Sequence, residues 1–65
     1  MQIYLNGELQ ETSCATLLDL IQELNLEGER FAVEQNEMII PKSKLAQSSI
    51  QYQDRIEIIH AVGGG

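Results

Sequence analysis

Few residues of this 65-residue chain are of types that do chemistry, and they do not cluster. Cys14 and His60 are its single cysteine and single histidine. A thiol becomes a nucleophile in electropositive surroundings, and the nearest charges to Cys14 in sequence are Glu11 and Asp19, both acidic. Inert packing is the role expected of it. His60 has no second histidine and no Cys or Asp cluster beside it, so a zinc site is unsupported and a structural or docking role is expected. What remains is the end of the sequence. Gly63-Gly64-Gly65 closes on a main-chain carboxylate with no side chain nearby. Without Cβ atoms this segment is slim, and extended it spans roughly 10 Å, enough to carry the carboxylate into a neighbouring protein's cleft. The same residues also describe a frayed terminus. A carboxylate is a poor electrophile, so if Gly65 is the reacting group, something else must activate it.

The elements that would position this end can be read in order. Met1, Ile3 and Leu5 alternate with Gln2 and Tyr4, the pattern of a half-buried strand. Asn6-Gly7 follows, the signal of a type I′ hairpin turn, and Glu8 to Thr12 returns as its partner. Thr16 stands three residues before Asp19, which predicts an N-cap and a favourable negative charge in the first helical turn. Leu17, Leu20, Ile21 and Leu24 then form one apolar stripe with Leu18 on its shoulder, and Gly28 is the expected helix stop. Phe31 to Gln35 reads as a strand, Asn36-Glu37 as a turn and Met38 to Ile40 as a short strand ended by Pro41. Lys42 to Gln47 has the character of one helical turn anchored by Leu45. Ile50 is expected as a buried plug, Tyr52 to Arg55 as a turn, and Arg55 to Val62 as a last strand leading into the glycines.

The fold class is therefore α+β, a mixed sheet of four to five strands packed on one helix. It forms a single domain over 1–62 with a flexible glycine tail at 63–65. Such a chain buries about 60% of its unfolded surface, which leaves little room for an enclosed catalytic pocket. Ten acidic residues against four basic ones give a net charge of −6. That excludes a protein built to neutralise nucleic-acid phosphates and suits a partner with a basic surface. No apolar run approaches the ~18 residues of a membrane span, and the first residues lack the basic and apolar regions of a signal peptide. One cysteine allows no internal disulfide, in keeping with a cytoplasmic protein.

This order of elements resembles the ubiquitin-like β-grasp fold. Ile3-Tyr4-Leu5-Asn6-Gly7, Ala32-Val33-Glu34-Gln35-Asn36, Ile39-Ile40-Pro41-Lys42 and the run from Asp54 to Gly65 are similar to one of its families, the bacterial sulfur carriers of thiamine thiazole biosynthesis. The likeness covers the whole chain. The sequence departs from the family pattern at Lys42, where arginine is usual, at Leu45, which replaces an aromatic, and at Gln53, which replaces a glycine.

The resemblance implies a covalent carrier and not an enzyme, with no cofactor of its own. An ATP-dependent adenylating enzyme would convert the Gly65 carboxylate to an acyl-adenylate. A persulfide donor would then displace AMP to leave a thiocarboxylate, and thiazole synthase would take the sulfur. Gly63, Gly64 and Gly65 would thread into the partners' sites. On the last strand, alternation sets Ile56, Ile58, His60 and Val62 on one side, and Arg55, Glu57, Ile59 and Ala61 on the other. In ubiquitin-like proteins the place of Ile59 belongs to the docking patch, and Tyr4 shares its face. The carrier is expected to be a monomer when free, and its sequence already ends at Gly65, so no protease is expected to be needed. The small subunit of molybdopterin synthase also ends in two glycines, but it is usually longer and carries a Pro-Pro pair. A ubiquitin-like module that docks without covalent chemistry is the other alternative.

Overall fold

The structure is a computed structural model and describes residues 1–60. The elements are β1 (Gln2–Leu5), β2 (Glu8–Glu11), α1 (Leu17–Glu23), β3 (Phe31–Gln35), β4 (Met38–Ile40), a 3-10 helix (Lys42–Gln47) and β5 (Arg55–His60). The strands form one five-stranded mixed sheet in the order β2-β1-β5-β3-β4. β1 and β5 are parallel neighbours at its centre, and the other pairs are antiparallel. The crossover that parallel neighbours require carries α1 over one face of the sheet.

Local chemistry explains where each element starts and stops. Asn6 and Gly7 both have positive φ, at 50° and 83°, as a type I′ turn needs. The Thr16 hydroxyl accepts the Asp19 amide at 3.2 Å, and the Asp19 carboxylate accepts the Thr16 amide at 3.1 Å, a complete capping box. The helix stops differently from the sequence expectation. Asn25, not Gly28, takes the left-handed conformation after the C-cap, at φ 58°. The Leu26 amide reaches back to the Ile21 carbonyl at 3.0 Å and the Asn25 amide to the Gln22 carbonyl at 3.1 Å, the two bonds of a Schellman motif. Leu26 packs on the core beside that closure. Gly28, at φ 88°, serves a later turn. Leu24 is also displaced from its expected place in the core stripe: as the C-cap it is 39% exposed.

The core is Ile3, Leu5, Leu17, Leu20, Ile21, Val33, Leu45, Ile50 and Ile56. Leu45 and Ile50 enter it as the sequence leads one to expect, the first from the 3-10 helix and the second as a plug. The Ile50 amide donates to the Ala15 carbonyl and the Leu17 amide to the Ser48 carbonyl, both at 2.9 Å, so that segment is laced to the start of α1.

A buried carboxylate fixes the start of β5. Asp54 is 6% exposed and accepts the Gln51 amide at 2.8 Å, Gln35 Nε2 at 2.9 Å and Asn36 Nδ2 at 2.9 Å. Burial pushes its carboxyl up, but the bonds from Asn36, Gln51 and Gln35 outweigh this and hold it below the ordinary aspartate value. Asn36 also takes the Arg55 amide on its side-chain oxygen at 2.9 Å, so the β3–β4 turn and the root of β5 form one unit. Gln53, where the family's glycine is expected, has φ 65°, which accounts for the preference for glycine there.

Candidate functional site

β5 is the described strand that precedes the three glycines in sequence, and its alternation sorts its residues between the two faces of the sheet. Ile56 is fully buried on the helix side, whereas Ile59 is 60% exposed on the opposite, open face. There Ile59 lies across from Ala32 of β3, a side chain too small to cover it. The Asn6 side-chain oxygen accepts the Ile58 amide at 2.8 Å, where β1 pairing has already ended. From that point β5 pairs only with β3.

Tyr4 does reach the open face, opposite Leu9 of β2 and beside Arg55 of β5. It is not adjacent to Ile59, since Arg55 and Ile59 are roughly 13 Å apart along the strand at 3.3 Å per residue. Tyr4, Gly7, Arg55 and Glu57 instead line a shallow open hollow of about 340 Å³. The two docking candidates are thus on one face, at separate places. Two further members of that face escaped the sequence reading: Leu9, 55% exposed, and Ile39 of β4, 74% exposed. Their membership of one surface needed the register.

At the last described turn of β5, His60 lies opposite Phe31 and its Nε2 is 3.3 Å from Glu29 Oε1. Lys42 Nζ donates to the Glu29 carbonyl at 3.2 Å and stands 4.5 Å from the centre of the Phe31 ring. The single ammonium therefore does the work of a point donor and a cation over an aromatic face, which does not need arginine's fork. Among the described residues no group of three His, Cys, Asp or Glu could hold a metal ion. Cys14 donates its thiol to Glu23 Oε2 at 3.0 Å. Burial pushes that thiol up, and Glu23 and Asp19 add to the effect, which suits a packed cysteine and not a nucleophile. No helix among the described residues is long and apolar enough to cross a membrane. Gly63, Gly64 and Gly65, and the expected continuation of the last strand to Val62, lie outside the described residues.

A five-stranded mixed sheet gripping one helix, with a central parallel pair, defines a small ubiquitin-like β-grasp protein. The solved structure of the thiamine biosynthesis protein ThiS from Geobacter metallireducens superposes on it with a TM-score of 0.82, covering 100% of both chains at 22% identity. The ThiS family model matches residues 3–65, and the chain belongs to that family. It is 40% identical over 50 residues to the sulfur carrier protein ThiS of Bacillus subtilis, which covers 77% of this chain and 76% of that one. It is also 36% identical over 66 residues to a thiazole synthase of Paramagnetospirillum magneticum. That alignment takes in the whole of this chain but only 20% of the synthase, so the chain spans about a fifth of that relative's length.

Proposed function

We propose that this protein is the sulfur carrier for thiazole formation in thiamine biosynthesis, with the Gly65 carboxylate as its reacting group. One observation carries the reading: the family match runs through residue 65 and so includes all three terminal glycines. The similarity to sulfur carrier ThiS and to thiazole synthases supports it. A Gly65 carboxylate oxygen attacks the α-phosphorus of ATP on an adenylating enzyme, expelling pyrophosphate and giving an acyl-adenylate. The terminal sulfur of a persulfide then attacks the acyl carbon and expels AMP. A thiol cleaves the resulting acyl disulfide, leaving the thiocarboxylate on Gly65 and a disulfide on the donor. Thiazole synthase receives that sulfur. The chain itself performs none of these steps; its fold is the address, with Ile59 and Tyr4 as docking residues and Gly63 and Gly64 as the slim lead-in to the partners' sites.

The test is reconstitution with purified adenylating enzyme, ATP, a persulfide donor, a thiol and thiazole synthase. Thiazole forms with the whole chain and does not form with a chain lacking Gly65. Equal product from both would overturn the assignment of chemistry to Gly65.

A further inference from the structure

Both hairpin turns open on an asparagine with positive φ, Asn6 at 50° and Asn36 at 52°. A type I′ turn also accepts glycine at that place, so the turn alone does not call for an amide side chain. In both cases the side chain reaches β5. Asn36 gives its backbone N–H to the Arg55 carbonyl at 2.8 Å and takes the Arg55 amide on its side-chain oxygen at 2.9 Å. Asn6 gives its backbone N–H to the Ile56 carbonyl at 2.9 Å and takes the Ile58 amide on its side-chain oxygen at 2.8 Å. The Asn36 contacts belong to the root of β5, where Asn36 also bonds to Asp54. The Asn6 side chain acts further along. β1 pairs with β5 only at Tyr4–Arg55 and Leu5–Ile56, whereas β3 accompanies β5 as far as His60. Past Ile56 the strand therefore has a neighbour on one side, and on the other the Asn6 side chain adds one rung that β1 no longer supplies.

We propose that Asn6 is a positioning residue for the chemistry at Gly65: its side-chain oxygen, through the Ile58 amide, holds the end of β5 to the sheet and so fixes the origin of the last residues. The inference deepens the sulfur-carrier reading and rests on it, since that reading makes Gly65 the reacting group. Five residues separate His60 from Gly65, at most about 18 Å of extended chain. On so short a lead, a carboxylate meets an activating site only while its origin keeps a fixed relation to the docked fold. The geometry of reaction is demanding, and a misplacement of about 1 Å can cost a hundredfold in rate. Water competes for an exposed bond such as this one, so its contribution to stability is small. Its effect lies in where it holds the strand.

The experiment compares the whole chain with Asn6→Gly, which keeps the turn and removes the acceptor, and with Asn6→Asp, which keeps both. A third carrier, made by chemical synthesis, replaces the Ile58 amide N–H by an ester oxygen; it removes the donor and leaves the turn untouched. Each carrier is melted, and its Ile58 amide, where present, is followed by hydrogen exchange. Each is then mixed with ATP and excess adenylating enzyme, and pyrophosphate release is timed in a single turnover across a range of enzyme concentrations. In Asn6→Gly the Ile58 amide exchanges about tenfold faster than in wild type. Its saturating rate falls about fivefold at a temperature well below its melt, while the half-saturating concentration stays within about a factor of two, because the Ile59 and Tyr4 face is unaltered. The ester carrier slows in the same way, and Asn6→Asp recovers the wild-type exchange and rate. Saturating rates equal to wild type in Asn6→Gly or in the ester carrier overturn the proposal. So does an effect on half-saturation alone, an Asn6→Asp carrier as slow as Asn6→Gly, or a wild-type Ile58 amide that exchanges without protection. A wild-type carrier that never releases pyrophosphate sinks the carrier reading itself, whereas a reactive wild type matched by its variants sinks only the role of Asn6.

Discussion

On β5, Ile56 is fully buried beneath the helix, and Ile59 is 60% exposed on the other face. The same residue type on one strand thus meets two environments. Ile56 belongs to one buried apolar cluster with Ile3, Leu17, Ile21 and Val33. Around Ile59 lie Ala32, the Glu34–Glu57 pair and, further off, Tyr4 and Ile39. The helix face carries the stability of the fold. The open face holds exposed apolar groups, Ile39 and Ile59, and sets Glu34 and Glu57 opposite each other in the β3–β5 register. Period-two alternation lets β1, β3 and β5 each turn buried residues toward the helix and more exposed ones toward the open face.

Substitution is the direct way to break this contrast. Ile56→Ala should lower stability by about 3 kcal/mol in urea unfolding, through lost burial and the cavity left behind. That is a large part of the total for a domain of this size. A cost below about 1 kcal/mol would mean that the helix face is not where the stability lies. Asp54→Asn should cost about 2 kcal/mol, because an amide cannot accept from three donors as the carboxylate does. The pH dependence sharpens the point. The folded Asp54 carboxyl is held below its ordinary value, so its contribution is complete above the unfolded value and is lost as the pH falls through the folded one. The stability gap between wild type and Asp54→Asn should therefore close in strong acid. A gap that persists there would show that Asp54 acts through shape and not through charge.

Ile59→Glu should stay within about 0.5 kcal/mol of wild-type stability yet weaken binding to the adenylating enzyme about tenfold, as measured by titration. Unchanged affinity would remove Ile59 from the docking surface. The smallest effect is expected of Gln53→Gly. Removing a side chain from a left-handed position should outweigh glycine's greater chain entropy by about 0.5 kcal/mol, visible as a rise in the urea midpoint. A loss of stability would show that the Gln53 side chain contributes contacts of its own.

Much of the helix face was legible in the sequence. Asn6-Gly7 gave the first turn, Thr16 and Asp19 the helix start, and Leu45 and Ile50 the two outlying core residues, each from a local rule. The helix end was misread because glycine is the commoner left-handed residue. Asn25 can adopt the same conformation, and the Leu26 contact that favours the earlier stop is tertiary. The polar knot at Asp54 was invisible for the same reason: Gln35, Asn36 and Gln51 converge on it only once β3 and β5 are paired. On the open face, alternation placed Ile59, Tyr4 and Glu57 outward, but only register shows that Tyr4 and Ile59 stand apart and that Glu34 meets Glu57.

The proposed chemistry at Gly65 is tested most directly by mass. The chain is incubated with ATP, its adenylating enzyme, a persulfide donor and a thiol, and then measured intact and after fragmentation. One oxygen is expected to be replaced by one sulfur, with the change on Gly65. A chain whose mass never changes under these conditions, or whose sulfur lies on Cys14 or any residue other than Gly65, would contradict it.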